Sequence, residues 1–351
     1  MSLEERVWKT EDIEHIVLDG TVVVDRTESD IPDCSIDELT KEEDYLRQNL
    51  TEIYNSGRAK MLIGMAGVLG IGKTTMSCHL QKWTQAMKYL ERTDSPGLNL
   101  LYAQGGKKIF GFPYQFDVGK DRENMLRAAE GVPKSAVLDR TWQEDLLFAE
   151  NFRDIGALTE RQFDYVRRFV IEGVSNNKSL DIILSMEASN ETLKERVKER
   201  NRKAEMVGVK NLSEEERRDM VLKKNDMIDY VGRYAGGEFD GYKSVQSSFE
   251  IPEQVQMEGA PPEYIASLNG VYKKRLVELI SKEFRYRGVI LKVNVDTKNG
   301  IDARINTYGQ VPIMRALKEA SILSLLRKGY KVVEKSGREG LEITPPWTAI
   351  H

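Results

Sequence analysis

A chain of 351 residues, 40% apolar and 31% charged, is long enough to bury a full core, either as one large domain with additions or as two domains. The net charge of −4 argues against broad binding to nucleic acid through a basic surface. Cys34 and Cys78 are the only cysteines, too few for a disulfide framework or a zinc site. Since there is no signal sequence and no apolar run of ~18 residues, we expect a cytoplasmic protein without a membrane partner.

The first 58 residues form an acidic segment before the first core strand. They contain 16 acidic and 6 basic side chains, so the rest of the chain carries a net charge of +6, which suits a polyphosphate ligand. An alternating apolar run at 15–25 is followed by a charged, helix-capable stretch at 35–53. This pattern predicts an N-terminal appendage to the domain that follows.

A glycine-rich loop follows a short apolar run at 59–65 and precedes a stretch at 74–89 that is predicted to be a helix. The loop, residues 67–74, reads Gly-Val-Leu-Gly-Ile-Gly-Lys-Thr and matches the Walker A pattern. In this pattern backbone N–H groups surround phosphate oxygens, the lysine reaches the β- and γ-phosphates, and the hydroxyl binds Mg²⁺. We therefore predict that the chain binds ATP and Mg²⁺. The predicted nucleotide ligands are Gly67, Gly70, Gly72, Lys73, Thr74 and Thr75, with Thr74 also a ligand of the metal ion.

The Walker A pattern alone does not separate GTPases, motor ATPases and small-molecule kinases. The guanine-binding pattern Asn-Lys-Xaa-Asp has its nearest match at 177–180, where Asn-Lys-Ser-Leu lacks the aspartate that pairs with guanine. Signatures of the repetitive ATPases are also missing from the sequence. Phosphoryl transfer to a small molecule is therefore favoured.

Further apolar runs of strand length occur at 135–139, 180–185 and 288–295, with helical regions at about 142–174 and 262–284 between them. This alternation predicts an α/β fold with a doubly wound parallel sheet, as in P-loop nucleoside and nucleotide kinases. The predicted segments are a core domain at 59–298, an insertion within it at 206–260, and a C-terminal extension at 299–351 with an amphipathic stretch at 311–328.

Two charged clusters follow the predicted strands. Asp139 and Arg140 lie at the carboxyl end of one strand, where open α/β sheets bind their ligands. Asp139 is predicted to hold a Mg²⁺-bound water and Arg140 to contact the acceptor or a phosphate, the alternative being an ordinary salt bridge. The basic run at 195–202 predicts a helix end and a loop that closes over ATP, the alternative being a solvated helix.

In this order the motifs resemble those of the deoxynucleoside kinase family. Residues 112–115, Phe-Pro-Tyr-Gln, are similar to the family's Phe-Xaa-Gln, and residues 139–141, Asp-Arg-Thr, to its (Asp/Glu)-Arg-Ser. Residues 190–197 are similar to the stretch that leads into the family's lid, which would lie here at 196–205. The resemblance covers about residues 59–296.

The resemblance implies roles on the acceptor side. Gln115 pairs with the base, and Tyr102 and Glu205 hold the 3′-hydroxyl of the sugar. Glu91 is the general base for the 5′-hydroxyl, with Arg140 beside it. The sequence departs from the family pattern in two places, since an arginine and not the usual proline follows Glu91, and only 11 residues separate Glu91 from Tyr102.

The resemblance also implies a lid and a base preference. Lys198, Arg200 and Arg202 form the basic part of the lid and neutralise charge on the γ-phosphoryl group. Arg122 and Asp145 stand at the spacings found in the purine- and cytidine-accepting members of the family. This pair implies a preference for deoxyadenosine, deoxyguanosine or deoxycytidine over thymidine.

The sequence therefore predicts an ATP-dependent deoxynucleoside kinase that phosphorylates a 5′-hydroxyl and, by the resemblance, forms a homodimer. Two alternatives stay open. One is a kinase of the same fold for another acceptor, such as a modified nucleotide, a base in DNA or a small metabolite. The other is a non-catalytic, nucleotide-binding regulatory protein.

Overall fold

The core of the structure is a seven-stranded sheet with flanking helices. The structure is a computed structural model that describes residues 5–27, 36–91, 96–102, 106–177, 180–205, 209–235, 247–256, 262–296, 310–335 and 340–346. The strands are β1 Arg6–Val7, β2 Ile16–Leu18, β3 Thr21–Arg26, β4 Leu62–Ala66, β5 Met87–Tyr89, β6 Ala136–Leu138, β7 Ile182–Glu187, β8 Val209–Asn211, β9 Gln254–Gln256, β10 Val289–Asn294, β11 Lys331–Glu334 and β12 Leu341–Thr344. The helices are α1 Ile36–Asn55, α2 Lys73–Thr84, α3 Pro96–Tyr102, α4 Gly106–Gly131, α5 Asp145–Asp154, α6 Glu160–Asn176, α7 Asn190–Glu205, α8 Glu214–Ala235, α9 Pro262–Lys282 and α10 Gln310–Arg327. None of these helices, as far as they are described, is long and apolar enough to cross a bilayer.

The large sheet has the strand order β2-β3-β10-β7-β4-β6-β5. Neighbouring strands are parallel except for β2 and β3, which form an antiparallel hairpin. Strands β4, β7 and β10 are nearly continuous apolar runs, as expected for parallel strands that are buried on both faces. The predicted α/β fold with a doubly wound sheet is confirmed, with the antiparallel strand β2 added at one edge.

The carboxyl ends of three neighbouring strands bring the predicted motifs together. Strand β4 leads into the loop at 67–72, β6 ends immediately before Asp139, and β5 ends two residues before Glu91. Close packing at this edge requires a glycine in β4, because a Cβ atom at Gly64 would lie 2.7 Å from the Cγ2 atom of Thr141. The parallel sheet thus places the phosphate loop, the Asp139 strand end and Glu91 side by side.

The two end segments pack onto the same core as the central strands. Strand β3 pairs in parallel with β10, with Val22 opposite Val289, and helix α1 packs against α10. Strand β1 joins β11 and β12 in a separate three-stranded antiparallel sheet. The indole N–H of Trp8 donates to Glu334 at 2.9 Å, and the buried Lys318 forms an ion pair with the same carboxylate. Apolar side chains of both end segments belong to one buried cluster with the central strands.

The predicted insertion contributes β8, β9 and α8. Helix α8 packs against α3 and α4, and Lys223 forms an ion pair with Asp117 of α4. A second, smaller apolar cluster joins these elements through Leu100, Phe110, Leu212, Met220 and Met227. The insertion therefore lies against the helix that carries Gln115. The predicted boundaries at 1–58, 59–298, 206–260 and 299–351 stay predictions.

Three predicted elements differ from the structure. The helix predicted at 74–89 ends at Thr84, because Gln85 adopts a left-handed conformation with φ of 55°, and β5 follows. The helical region predicted at 142–174 contains two helices, separated by a turn with Gly156 at φ of 73°. The helix end predicted within 195–202 is wrong, since α7 continues to Glu205. Its run of Lys, Glu and Arg contains no glycine or proline to stop it.

Candidate active site

The phosphate loop joins β4 to the N-terminus of α2. Gly70 and Gly72 have φ values of 81° and 102°, which residues with a side chain rarely adopt, so the loop depends on glycine at both positions. Among the described residues no side chain caps the first turn of α2, and the turn contains no acidic residue. The N–H groups of this helix end are therefore suited to an anionic ligand. The Nζ atom of Lys73 is buried and donates to the carbonyl oxygens of Gly67 and, at 3.2 Å, of Val68.

Thr74 and Asp139 meet at the carboxyl ends of β4 and β6. The Thr74 hydroxyl donates to Asp139 Oδ2 at 2.7 Å, and Asp139 Oδ1 is buried without a hydrogen-bond partner among the residues that the structure describes. Burial raises the pKa of Asp139, an effect opposed by Thr74 and Lys73. A hydroxyl beside a carboxylate with one unpartnered oxygen is a donor set that Mg²⁺ accepts when substrate phosphates supply further ligands. The residues present therefore fit a Mg²⁺ ion.

Glu91 lies between two arginines. Arg140 Nε donates to one carboxylate oxygen at 2.9 Å, and Arg122 donates to the other. Burial alone would raise the pKa of Glu91, but the guanidinium groups of Arg140 and Arg122 outweigh it and lower the pKa to about 2. The carboxylate is therefore ionised at neutral pH.

Arg122 also faces Asp145, and both side chains are 4% exposed. The Arg122 Nε and Asp145 Oδ2 atoms are 3.7 Å apart, too far for a hydrogen bond, and within the described part of the chain neither atom has a hydrogen-bond partner. Burial raises the pKa of Asp145 to about 7, although Arg122 and Arg140 oppose the shift. Gln115 is buried on the same face of α4, two turns before Arg122. Gln115, Arg122 and Asp145 are buried polar groups of a kind that suits a flat, hydrogen-bonding ligand.

Arg140 is held from several sides. Its guanidinium group lies 4.7 Å from the ring centroid of Phe148, and its Nη1 atom lies 3.3 Å from Glu144 Oε1. Burial alone would lower the pKa of Arg140, but the carboxylates of Glu144 and Glu91 outweigh it and raise the pKa. Arg140 therefore keeps its positive charge at the centre of the site.

Glu144 belongs to none of the motifs from which the site residues are predicted. Its side chain is fully buried, and Oε2 accepts the N–H of Gly67 at 2.9 Å and the hydroxyl of Tyr272 at 3.4 Å. The available signal is a pair of adjacent carboxylates, Glu144 and Asp145, shortly after the end of β6 at Leu138.

The lid region begins with a well-anchored helix. Ser189 and Thr192, at the start of α7, both donate to Asp296, and Arg196 donates to the carbonyl oxygens of Ile71 in the phosphate loop and of Val295. Lys198 is exposed in the same helix. The side chains of Arg200, Arg202, Glu205 and Tyr102 lie outside the described residues, and Thr75 is exposed in the first turn of α2. The roles of these residues stay predictions.

Part of this chain is similar to a known family and to three known proteins. The Deoxynucleoside kinase family matches residues 63–214. A deoxyadenosine kinase of Dictyostelium discoideum is 28% identical over 177 residues, which cover 49% of this chain and 68% of that protein. A deoxyguanosine kinase of Lactobacillus acidophilus is 27% identical over 152 residues, covering 42% and 65%, and one of Lactobacillus johnsonii is 25% identical over 151 residues, covering 42% and 66%. The chain thus spans about two thirds of the length of these relatives.

The solved structures that match this chain include those of a deoxyadenosine kinase from M. mycoides. With bound dCTP it is 18% identical, with a TM-score of 0.46, over 73% of this chain and 98% of that one. With bound dATP it is 20% identical, with a TM-score of 0.44 and the same coverage. The residues matched to the family contain the phosphate loop, Glu91, Arg122, Arg140 and Asp145. Residues 63–214, which carry the kinase motifs, are therefore similar to the deoxynucleoside kinase family.

Proposed function

We propose that the protein transfers the γ-phosphoryl group of ATP to the 5′-hydroxyl of a deoxynucleoside and prefers purine nucleosides or deoxycytidine to thymidine. The observation that carries the proposal is the position of Glu91. It is an ionised carboxylate held by Arg122 and Arg140 at the sheet edge that also carries the phosphate loop. A base for the acceptor hydroxyl and a cradle for the donor phosphates thus lie side by side.

On the donor side, Lys73 turns from the loop carbonyls to the phosphates of ATP. Thr74 and Asp139 hold Mg²⁺, which when bound neutralises charge on the phosphate oxygens. The N–H groups of the loop and of the first turn of α2 supply further hydrogen bonds to the phosphates. Lys198, Arg200 and Arg202 of α7 complete the cradle from the lid side.

On the acceptor side, Gln115 pairs with the base, because one amide offers both donors and an acceptor. Asp145 and Arg122 lie on the same wall and form hydrogen bonds with exocyclic amino or keto groups. Tyr102 and Glu205 hold the 3′-hydroxyl, as the family resemblance implies. Glu91 accepts a hydrogen bond from the 5′-hydroxyl.

Transfer begins with Glu91 and Arg140. When the γ-phosphate approaches, Arg140 shares its donors with the phosphate oxygens, and the pKa of Glu91 rises from about 2 as that partner is drawn away. The 5′-oxygen forms a bond to the γ-phosphorus, its proton passes to Glu91, and the bond from the γ-phosphorus to the ADP oxygen breaks. Lys73 and Arg140 stabilise the charge that develops on the transferring group.

Steady-state rates on a panel of four deoxynucleosides test the function and the base preference. We expect deoxyadenosine, deoxyguanosine or deoxycytidine to have the highest kcat/KM, and thymidine to be lower by about 10-fold or more. The family resemblance implies that Arg122 and Asp145, which form a buried pair, leave no room for the thymine methyl and match exocyclic amino or keto groups. Release of ADP and formation of the nucleoside monophosphate are measured together. Thymidine as the best substrate would contradict the preference, and ADP release that ignores all four nucleosides would contradict the function.

The pH dependence of ATP capture tests the role of Lys73. Burial lowers the pKa of Lys73 from 10.5 to about 8, so in the free enzyme the ammonium group loses its proton as the pH rises through this value. A neutral amine does not pair with phosphate, so we expect kcat/KM for ATP to fall above a pH of about 8. In the complex the phosphates stabilise the charged form, and kcat stays level over the same range. A value of kcat/KM for ATP that stays constant to a pH of about 9.5 would contradict this role.

Homodimerisation and a cytoplasmic location stay predictions. The dimer is proposed from the family resemblance alone, and size-exclusion chromatography with light scattering measures it directly.

A further inference from the structure

The carboxylate of Glu144 is fully buried between the phosphate loop and Arg140. One oxygen, Oε2, accepts the N–H of Gly67 at 2.9 Å and the hydroxyl of Tyr272 at 3.4 Å. The other oxygen, Oε1, lies 3.3 Å from Arg140 Nη1. A carboxylate buried this deeply is costly unless it is paired and hydrogen-bonded, so its partners are held in a fixed arrangement.

Glu144 restricts the orientation of Arg140. The guanidinium group uses Nε for Glu91, at 2.9 Å, and faces Glu144 with Nη1. The contact with Glu144 is an ion pair and not a hydrogen bond, since Glu144 Oε1 has no hydrogen-bond partner among the described residues, so it restricts the guanidinium group through charge. The ring of Phe148 lies 4.7 Å from the group. Glu144 thus restricts the orientation of Arg140, the side chain that stabilises Glu91.

Glu144 also fixes the start of the phosphate loop. Gly67 is the first residue after β4, and its N–H donates to Glu144 while its carbonyl oxygen accepts from Lys73. The loop is closely packed at this point, because a Cβ atom on Gly67 would lie 3.0 Å from Ile71 and 3.2 Å from the carbonyl oxygen of Met186. One glycine therefore connects Glu144 to the lysine that faces the donor phosphates.

We propose that Glu144 is a positioning residue that couples the donor and acceptor halves of the site. A continuous series of contacts runs from Lys73 through Gly67, Glu144 and Arg140 to Glu91. It sets the distance between the lysine that binds the transferring phosphoryl group and the base that takes the proton. The inference rests on the proposed function, since it assumes that Lys73 and Glu91 act in one transfer.

The variant Glu144→Gln keeps the shape of the side chain and removes its charge. The carboxamide has one oxygen for two sets of donors, so its NH₂ group must face either the Gly67 N–H or Arg140. We expect kcat to fall by about 10- to 100-fold, in the range that loss of a supporting contact to a functional group gives elsewhere. The Kd of deoxyadenosine, measured by calorimetry without ATP, is expected to stay within about twofold, because Gln115 and Asp145 do not depend on this contact.

Glu150→Gln is the matched control. Glu150 lies on the same helix, α5, and forms an ion pair with Arg275 at 2.8 Å. It contacts none of the groups of the proposed transfer, so its kcat is expected to stay within about twofold of the unmodified protein. A Glu144→Gln enzyme with kcat equally close to that of the unmodified protein would overturn the proposal. So would a loss of kcat matched by an equal loss of deoxyadenosine binding.

A double-mutant comparison shows whether Glu144 acts through Arg140. If it does, Glu144→Gln causes little further loss of kcat in a protein that already carries Arg140→Met. The double variant Arg140→Met/Glu144→Gln then has a kcat within about twofold of Arg140→Met alone. The comparison stays informative if Glu144→Gln alone does not fold. The double variant removes both charges of the Arg140–Glu144 ion pair, so neither charge is left buried without the other. A double variant less active than Arg140→Met by about 10-fold or more would overturn the proposal.

Failure of the proposed function gives a different result. In that case the unmodified protein releases no ADP in response to any deoxynucleoside. Failure of the role of Glu144 leaves the unmodified protein active and Glu144→Gln equal to it.

Discussion

Replacing Lys73 by methionine is expected to lower kcat/KM for ATP by about 10³-fold, the largest single effect we expect on the donor side. The Nζ atom is buried at the N-terminus of α2 and donates to two loop carbonyls, so its charge is held where we propose that the phosphates bind. Methionine has a similar length and is apolar, so it removes the charge with little change in packing. Initial rates at varied ATP concentration measure the loss.

Lys60→Met is the matched control for this substitution. Lys60 lies just before β4, at the opposite end of the strand from the phosphate loop, and its Nζ atom donates to the backbone carbonyls of Glu130 and Val132. It is expected to lower the melting temperature and to leave kcat/KM for ATP within about twofold. If Lys60→Met and Lys73→Met lower kcat/KM equally, the loss reflects general destabilisation and the role of Lys73 in binding phosphate is wrong.

Replacing Glu91 by glutamine is expected to lower kcat by about 100-fold or more while deoxynucleoside binding is kept. The amide has nearly the same shape but takes no proton, and its NH₂ group meets Arg122 or Arg140, which are themselves donors. Because the pKa of Glu91 in the free enzyme is about 2, the base form is complete from a pH of about 4 upward, so Glu91 causes no loss of kcat/KM for the deoxynucleoside between pH 5 and pH 7.

Glu123→Gln is the control for the Glu91 variant. Glu123 lies on α4 and forms an ion pair with Arg127 at 2.5 Å, so the same chemical change is made at an arginine-paired carboxylate that faces no predicted substrate. Its kcat is expected to stay within about twofold of the unmodified enzyme. Turnover retained by Glu91→Gln, or an equal loss in both variants, would show that Glu91 is not the base.

The sequence predicts the parts of this fold that local patterns encode. Strands β4, β6, β7 and β10 are short apolar runs because both faces are buried, and each is found close to its predicted position. The edge strand β5 is only three residues long and follows α2 after a two-residue turn, so its residues read as a continuation of the helix. Helix periodicity has no means of showing where so short a strand begins.

The contribution of the end segments to the core is not readable from local pattern. Strand β3 pairs with β10, more than 260 residues later in the sequence, and β1 pairs with β11 at a still greater separation. An alternating run such as 15–25 predicts a strand but not its partner, since register and pairing depend on side chains elsewhere in the chain. The acidic N-terminal segment was therefore predicted as an appendage, whereas its strand β3 lies within the seven-stranded sheet.

The site shows the same division. The predicted roles of Gln115, Arg122 and Asp145 come from the family resemblance. The structure brings Arg122 and Asp145 together as a buried pair. Glu144 matches no motif, because two of its three partners, Gly67 and Tyr272, are distant in sequence. The third, Arg140, lies four residues before it. Such a residue is found only when the elements have been packed together.

The central claim is that one site takes the γ-phosphoryl group from ATP and gives it to a deoxynucleoside 5′-hydroxyl. Its most direct test is to incubate the protein with Mg²⁺ and ATP labelled in the γ-phosphate, with and without deoxyadenosine, and to identify the labelled product. We predict that the label appears in the deoxynucleoside 5′-monophosphate, in amounts equal to the ADP formed and only when the nucleoside is present. Label found only in inorganic phosphate, or ADP formed at the same rate without nucleoside, would contradict the claim.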